Sequence, residues 1–270
     1  MPSGSGYEVT FNGVSSTTIP EFICHRVMRT LGGKKRTVYK DVPGRAGAWV
    51  FPEKPGPRKI LISSSVLADS FPSNRRAALE QVAEWLDVEG LAPLIIGDEP
   101  DRFYLATLSD EPDIEEWRHR GQFDLDFTAD PYAYSVDIST EEFSLTPGGS
   151  AHTFTMPDGV DAYPVVELTP TDGTLSDFTL IVNGFQLVNS GEIASGDTWT
   201  ISSLSHITID GPNTDTELTG VFNPDTISMP GITGEFPVLL KDEATQSVAL
   251  SLGGSATNVD VVISWRRRYR

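Results

Sequence analysis

In a chain of 270 residues, only one stretch repeats its apolar residues at helical spacing. It is residues 73–90, SNRRAALEQVAEWLDVEG. Ala78, Leu79, Val82, Trp85 and Leu86 fall on one face; Arg75, Arg76, Glu80, Glu84 and Asp87 fall on the other. Ser73 or Asn74 can cap its start, and Gly90 is a stop signal. The remainder of the chain has to be built mainly from strands and turns.

The N-terminal half reads as a sheet against which that helix packs. "YEVTFNGV" alternates Tyr7, Val9 and Phe11 and closes on Asn12-Gly13, a strong hairpin signal. "RTVYKDVPGRAGAWVF" holds two apolar runs around a turn whose glycines, Gly44 and Gly47, can supply positive φ. "RKILISSSVLA", "APLIIGDEP" and "RFYLATLSDEP" supply further strands. In "GQFDLDFTADPYAYSVD", residues 121–137, Phe123, Leu125 and Phe127 form one side of a strand before Asp-Pro-Tyr-Ala-Tyr interrupts it. Pro131 cannot donate a ladder hydrogen bond and is expected to mark where central pairing stops. Tyr132 and Tyr134, apolar bodies with polar tips, suit a half-wet junction between two domains, or an ordinary strand end with both packed locally.

From Ser135 no amphipathic helix is found. Short β-rich runs alternate with Gly, Asn, Asp and Pro clusters, and Asn183-Gly184 reads as a second hairpin turn. That spacing predicts an antiparallel sandwich or barrel-like domain. Charge changes at the same place. Residues 1–134 hold 15 Lys+Arg against 20 Asp+Glu, whereas residues 135–270 hold 5 against 18, four of the five being in the last five positions. The expected domains are therefore 1–134 and 135–270. A net charge of −18 argues against nucleic-acid binding, and no apolar run is long enough for a membrane helix, so no membrane insertion is expected. The N-terminus lacks the basic and apolar regions of a secretory signal, and the one cysteine, Cys24, rules out an internal disulfide.

No catalytic residue, metal or cofactor is expected. His25, His119, His152 and His206 are isolated in sequence, and nucleophile elbow, Walker loop and dinucleotide fingerprint are all missing. Asp-Glu-Pro-Asp occurs twice, at 98–101 and 110–113. Its sharper reading is a calcium site or a glycosidase carboxylate pair; its plainer one is two solvated loops flanking a strand. Trp85, Trp199 and Trp265 read as core residues, leaving Trp117 as the candidate exposed aromatic. The terminal Arg-Arg-Arg-Tyr-Arg can bind an acidic partner or end the chain as a solvated tail, with Tyr269 docked by the strong strand before it.

The order of these features resembles the distal tail protein family of bacteriophages with long, non-contractile tails. The features are a strand ending in Asn-Gly, the Val-Pro-Gly-Arg-x-Gly turn from Val42 to Gly47, and a helix ending EWLD. "DEPDRFYLA" and the Phe-x-Leu-x-Phe strand closing on Asp-Pro-Tyr-Ala-Tyr follow. "HITIDGP", "FPVLL" and a last strand ending Trp-Arg-Arg-Arg-Tyr continue the likeness through the second half. The resemblance implies a mainly β fold: an N-terminal tail-tube-like β-sandwich with one packed helix and a C-terminal galectin-like antiparallel β-sandwich. It implies a homohexameric ring at the tail tip of the virion, synthesised in the host cytoplasm. The ring would lie between the tail-tube protein and the baseplate hub or tail-associated protein, anchor receptor-binding proteins, and pass DNA without binding it specifically. Gly44, Arg45 and Gly47 become candidate interface residues, with Arg45 either making an inter-subunit ion pair or standing as an exposed hairpin arginine. The family turn often carries an acid after the arginine, where this chain has Ala46. At 270 residues the chain has no room for an inserted sugar-binding module. The competing readings are a carbohydrate-binding adhesin module recognising host glycans and a glycosidase.

Overall fold

The computed structural model describes residues 6–31, 38–41, 48–51, 55–67, 72–117, 120–156, 160–202, 227–229, 232–234, 238–240, 245–251 and 254–269. The chain divides into two compact units, Met1–Val136 with Arg270, and Asp137–Tyr269.

The first unit contains strands β1 (Val9–Phe11), β2 (Val14–Ser15), β3 (Phe22–Arg29), β4 (Val38–Asp41), β5 (Ala48–Phe51) and β6 (Arg58–Leu67). Helix α1 (Pro72–Leu86), strands β7 (Ala92–Ile96), β8 (Arg102–Leu108) and β9 (Glu115–Trp117), and the first part of β10 (Arg120–Leu145) follow. Asn12 and Gly13 join β1 to β2 with φ of 50° and 77°, the left-handed pair a two-residue hairpin needs. Antiparallel neighbours run β3, β6, β10, β8, β7, β1. Tyr7, just ahead of β1, bridges back to Cys24 in β3, its N–H donating to the Cys24 carbonyl at 2.9 Å. The six strands thus form a closed circuit, which leaves the sheet few unpaired edges.

Side-chain alternation fills that circuit. Phe123, Leu125 and Phe127 are buried, whereas Gln122 before them and Asp124 between them are exposed. Phe127 meets Phe11 at 5.2 Å and Phe123 meets Phe22 at 6.0 Å between ring centroids. Helix α1 buries Ala78, Val82, Trp85 and Leu86. Trp85 lies edge-on to Phe11 and Phe22, and its indole N–H donates to the carbonyls of Phe11 (3.3 Å) and Val14 (3.1 Å). The helix is therefore fastened to the β1–β2 hairpin by apolar area and by a satisfied polar group. It starts at Pro72, ahead of Ser73 and Asn74, because proline at the first helical position has a suitable φ and needs no N–H partner there. It ends at Leu86, and Gly90, at φ 80°, supplies the left-handed residue before β7. Cys24 is buried beside Ser64, and burial pushes its thiol pKa up to about 11, so it behaves as a small core residue.

Strand β10 corrects the expectation at Pro131. The strand does not stop there but runs on to Leu145. Pairing with β6 ends at Ala129 opposite Arg58; pairing with β8 jumps from Ala129↔Ala106 to Ala133↔Tyr104. Asp130, Pro131 and Tyr132 fall in that irregularity, where no ladder N–H is required of the proline.

The second unit adds to the rest of β10 the strands β11 (His152–Phe154), β12 (Val165–Pro170), β13 (Leu175–Val182), β14 (Phe185–Ile193) and β15 (Trp199–Ser202). Strands β16 (Ile227–Met229), β17 (Ile232–Gly234), β18 (Gln246–Leu250) and β19 (Val259–Tyr269) complete it. One sheet has the order β15-β12-β19-β10, the other β11-β18-β13-β14-β17-β16. Their buried faces share one core, in which Phe178 meets Trp199 at 5.2 Å and Phe154 meets Trp265 at 5.5 Å. Asn183 and Gly184, at φ 49° and 86°, turn β13 into β14. β19 extends through the arginines: Arg268 is buried, donates to the Asp161 carbonyl at 2.7 Å and lies 4.8 Å from the Tyr163 ring centre. The C-terminal arginines described are therefore strand residues, not a solvated tail.

Two polar devices lock this unit. Gln246, fully buried, accepts from Asn183 Nδ2 (2.6 Å) and the Leu240 N–H (2.9 Å) and donates to the Leu240 carbonyl (2.9 Å). Asn183 Nδ2 also donates to the Val238 carbonyl, and Asn183 Oδ1 accepts from the Ser247 N–H at 2.8 Å. Elsewhere, the Asp172 carboxylate accepts from the Thr257 hydroxyl and from the N–H groups of Thr257 and Asn258. Those bonds, the hydroxyl's first, hold its pKa below the usual aspartate range. A carboxyl depressed on folding contributes stability above its unfolded pKa of about 4 and loses it as pH falls through the folded pKa. Asp172→Asn is thus expected to flatten the acid limb of a stability–pH curve below about pH 4, leaving the pH dependence near neutrality unchanged; urea midpoints from about pH 2 to 7 check it.

Candidate functional site

Among the described residues no three His, Cys, Asp or Glu side chains converge to hold a metal ion. The residues that the resemblance and the sequence offered for an interface and a domain junction all fall in the first unit. β4 and β5 pair over four positions, from Val38↔Phe51 to Asp41↔Ala48, and among the described residues they join no other strand. A two-stranded hairpin is marginal in water by itself and gains stability from a third strand or a packing face. The hairpin brackets residues 42–47. Gly44, Arg45 and Gly47 themselves lie outside the described residues.

The three junction residues are placed as follows. Pro131 and Tyr132 are half-buried in the β10 irregularity. Tyr134 is buried, stacks on Phe103 at 5.6 Å and donates from its hydroxyl to Asp130 at 3.2 Å. All of these contacts lie within the first unit.

An ion-pair cluster joins Asp98 and Glu99 of the first Asp-Glu-Pro-Asp to an arginine that the sequence did not single out. Below the Tyr7–Cys24 bridge, Arg29 of β3 makes ion pairs with Asp98 and with Glu99 (3.3 Å) in the β7–β8 turn. Glu99 also accepts from the Tyr104 hydroxyl at 3.0 Å, and the buried Arg58 guanidinium lies 5.8 Å from the Tyr104 ring centre. The first Asp-Glu-Pro-Asp is therefore a side-chain clasp. The second, at 110–113, lies in a loop with Asp110, Glu111 and Asp113 exposed. Because the clasp is partly solvated, Arg29→Ala is expected to cost about 1 kcal/mol. The loss should shrink in high salt, as read from urea midpoints at two ionic strengths.

His25 Nε2 lies 2.6 Å from the Ser65 hydroxyl and 3.3 Å from an Arg120 Nη. Burial and then the Arg120 charge lower its pKa, which favours the neutral imidazole. His152 stacks on Phe143 at 3.9 Å. The backbone of Trp117 lies in β9, paired with β10, and its side chain, His119 and His206 lie outside what is described. Trp85, Trp199 and Trp265 are buried, as expected.

Residues 10–129 match the family model of the phage tail protein RIFT-related domain. The resemblance to phage tail proteins therefore holds for the first unit. No curated protein sequence matches the chain. Among solved structures, the chain is similar to the Dit protein (gp 19.1) of SPP1, described as a paradigm of the hub adsorption apparatus in phages infecting Gram-positive hosts. The TM-score is 0.68 at 13% identity, covering 98% of this chain and 99% of that one. It is also similar to chains of the phage p2 baseplate in its activated conformation with Sr (TM-score 0.48) and with Ca (0.46), each at 10% identity, covering 96% of this chain and 97% of those. At these identities the SPP1 match speaks for the fold alone, a mainly β architecture, along nearly the whole chain.

Proposed function

We propose that this chain, with its phage tail RIFT-related domain and the fold of a Dit protein, is a structural component of a phage tail tip. In this reading six copies form a ring between the tail-tube protein and the baseplate hub, and the second unit faces outward to anchor receptor-binding proteins. The observation that carries it is the joint finding of a tail-protein domain over residues 10–129 and a Dit-like fold over 98% of the chain. Two features support it. Among the described residues the β4–β5 hairpin pairs with no third strand, and a ring can supply one. The net charge of −18 suits a conduit through which DNA slides without sticking. Light scattering on the purified protein tests the ring: the expected mass is sixfold that of the 29.4 kDa chain. A monomer mass at every concentration counts against it.

A further inference from the structure

Asn-Gly occurs twice at described hairpin turns, and the two copies differ in one respect. Both asparagines and both glycines adopt left-handed φ, and at both glycines the space around an added Cβ is open. Their flanking residues are alike, Phe11 and Val14 in one case and Val182 and Phe185 in the other. Asn12, however, is exposed, and its carboxamide has no hydrogen-bond partner among the described residues; its backbone N–H donates to Pro93. The Asn183 carboxamide makes three bonds, two from Nδ2 to Val238 and Gln246 and one from the Ser247 N–H to Oδ1.

We propose that Asn12 is a site of spontaneous chemical modification in the folded protein and that Asn183, the same dipeptide, is protected by the buried amide network. The Gly13 backbone nitrogen attacks Asn12 Cγ and loses its proton. The carboxamide nitrogen leaves as ammonia, and a five-membered succinimide remains. Water then opens that ring at either carbonyl, giving aspartate or isoaspartate at position 12. No oxidant or reductant is involved. At Asn183 the attack first requires the carboxamide to swing out of its three bonds. The product would also place carboxylate oxygen against the Val238 carbonyl and Gln246 Oε1, both acceptors.

The test is incubation of the intact protein at mildly alkaline pH, followed by acidic digestion and mass spectrometry of the two peptides. Asn12 is expected to convert at least about tenfold faster than Asn183, the order set by hydrogen bonds that must be surrendered first. In urea sufficient to unfold the chain the two rates are expected to converge. Equal rates in the folded protein, faster loss at Asn183, or an asymmetry that persists in urea would each overturn the proposal.

Discussion

Replacing Gly254 by alanine is expected to destabilise the second unit by roughly 3–5 kcal/mol, combining a left-handed-backbone penalty with overpacking. Gly254 sits at φ 72°, and a Cβ there would lie 2.0 Å from the Thr174 carbonyl oxygen and 2.8 Å from the Ser176 nitrogen. Both are backbone atoms, so no side chain can swing aside. The loop they belong to is already zipped to this one: the N–H groups of Ser255 and Ala256 both donate to the Thr174 carbonyl, at 2.7 and 2.9 Å. Accommodating the methyl group means giving up those bonds. Gly184→Ala separates the two contributions, since Gly184 has φ 86° with nothing within 4 Å of the added carbon. Its cost is expected to be about 1–2 kcal/mol, the backbone penalty alone. Urea midpoints of the two variants, compared at equal m-value, measure the difference. Equal costs would show that the 173–174 and 254–256 loops separate more readily than their contacts indicate.

The second large effect is expected at Gln246. Gln246→Leu keeps roughly the same volume, but it strands the Leu240 N–H and carbonyl and one bond of the Asn183 carboxamide. Buried polar groups left unpaired cost about 1–3 kcal/mol each, so a loss of roughly 3–5 kcal/mol is expected. Against a total stability of about 5–15 kcal/mol for an ordinary domain, either variant should leave the second unit close to its unfolding threshold. A circular-dichroism melt reads the effect, and a near-neutral Gln246→Leu would mean that water replaces the lost partners.

What was legible in the sequence was local. Helix α1 follows from the spacing of Ala78, Val82, Trp85 and Leu86, and both hairpins follow from Asn-Gly, because turn geometry and helix period are properties of adjacent residues. Gln246 also left a trace: it occupies an inward position of the alternating run Gln246, Val248, Leu250, a polar residue in apolar register. Pro131 misled for the same local reason. A proline reads as a strand terminator until the partner strand shows an irregularity there. The Arg29 clasp was not legible at all, since 69 residues separate Arg29 from Asp98 and nothing near either specifies the other. The closure of the strand circuit by Tyr7 and Cys24 is equally non-local. The family resemblance also pointed to Arg45 for the candidate interface, but that residue lies outside the described part of the chain. The hairpin around it is what brings the interface argument to this part of the first unit.

The proposed ring at a phage tail tip has a visible signature. Negative-stain electron microscopy of the purified protein tests it most directly. Class averages with sixfold symmetry and a central opening are expected. Single particles the size of one 29.4 kDa chain at every concentration, or closed assemblies of another symmetry, would contradict it.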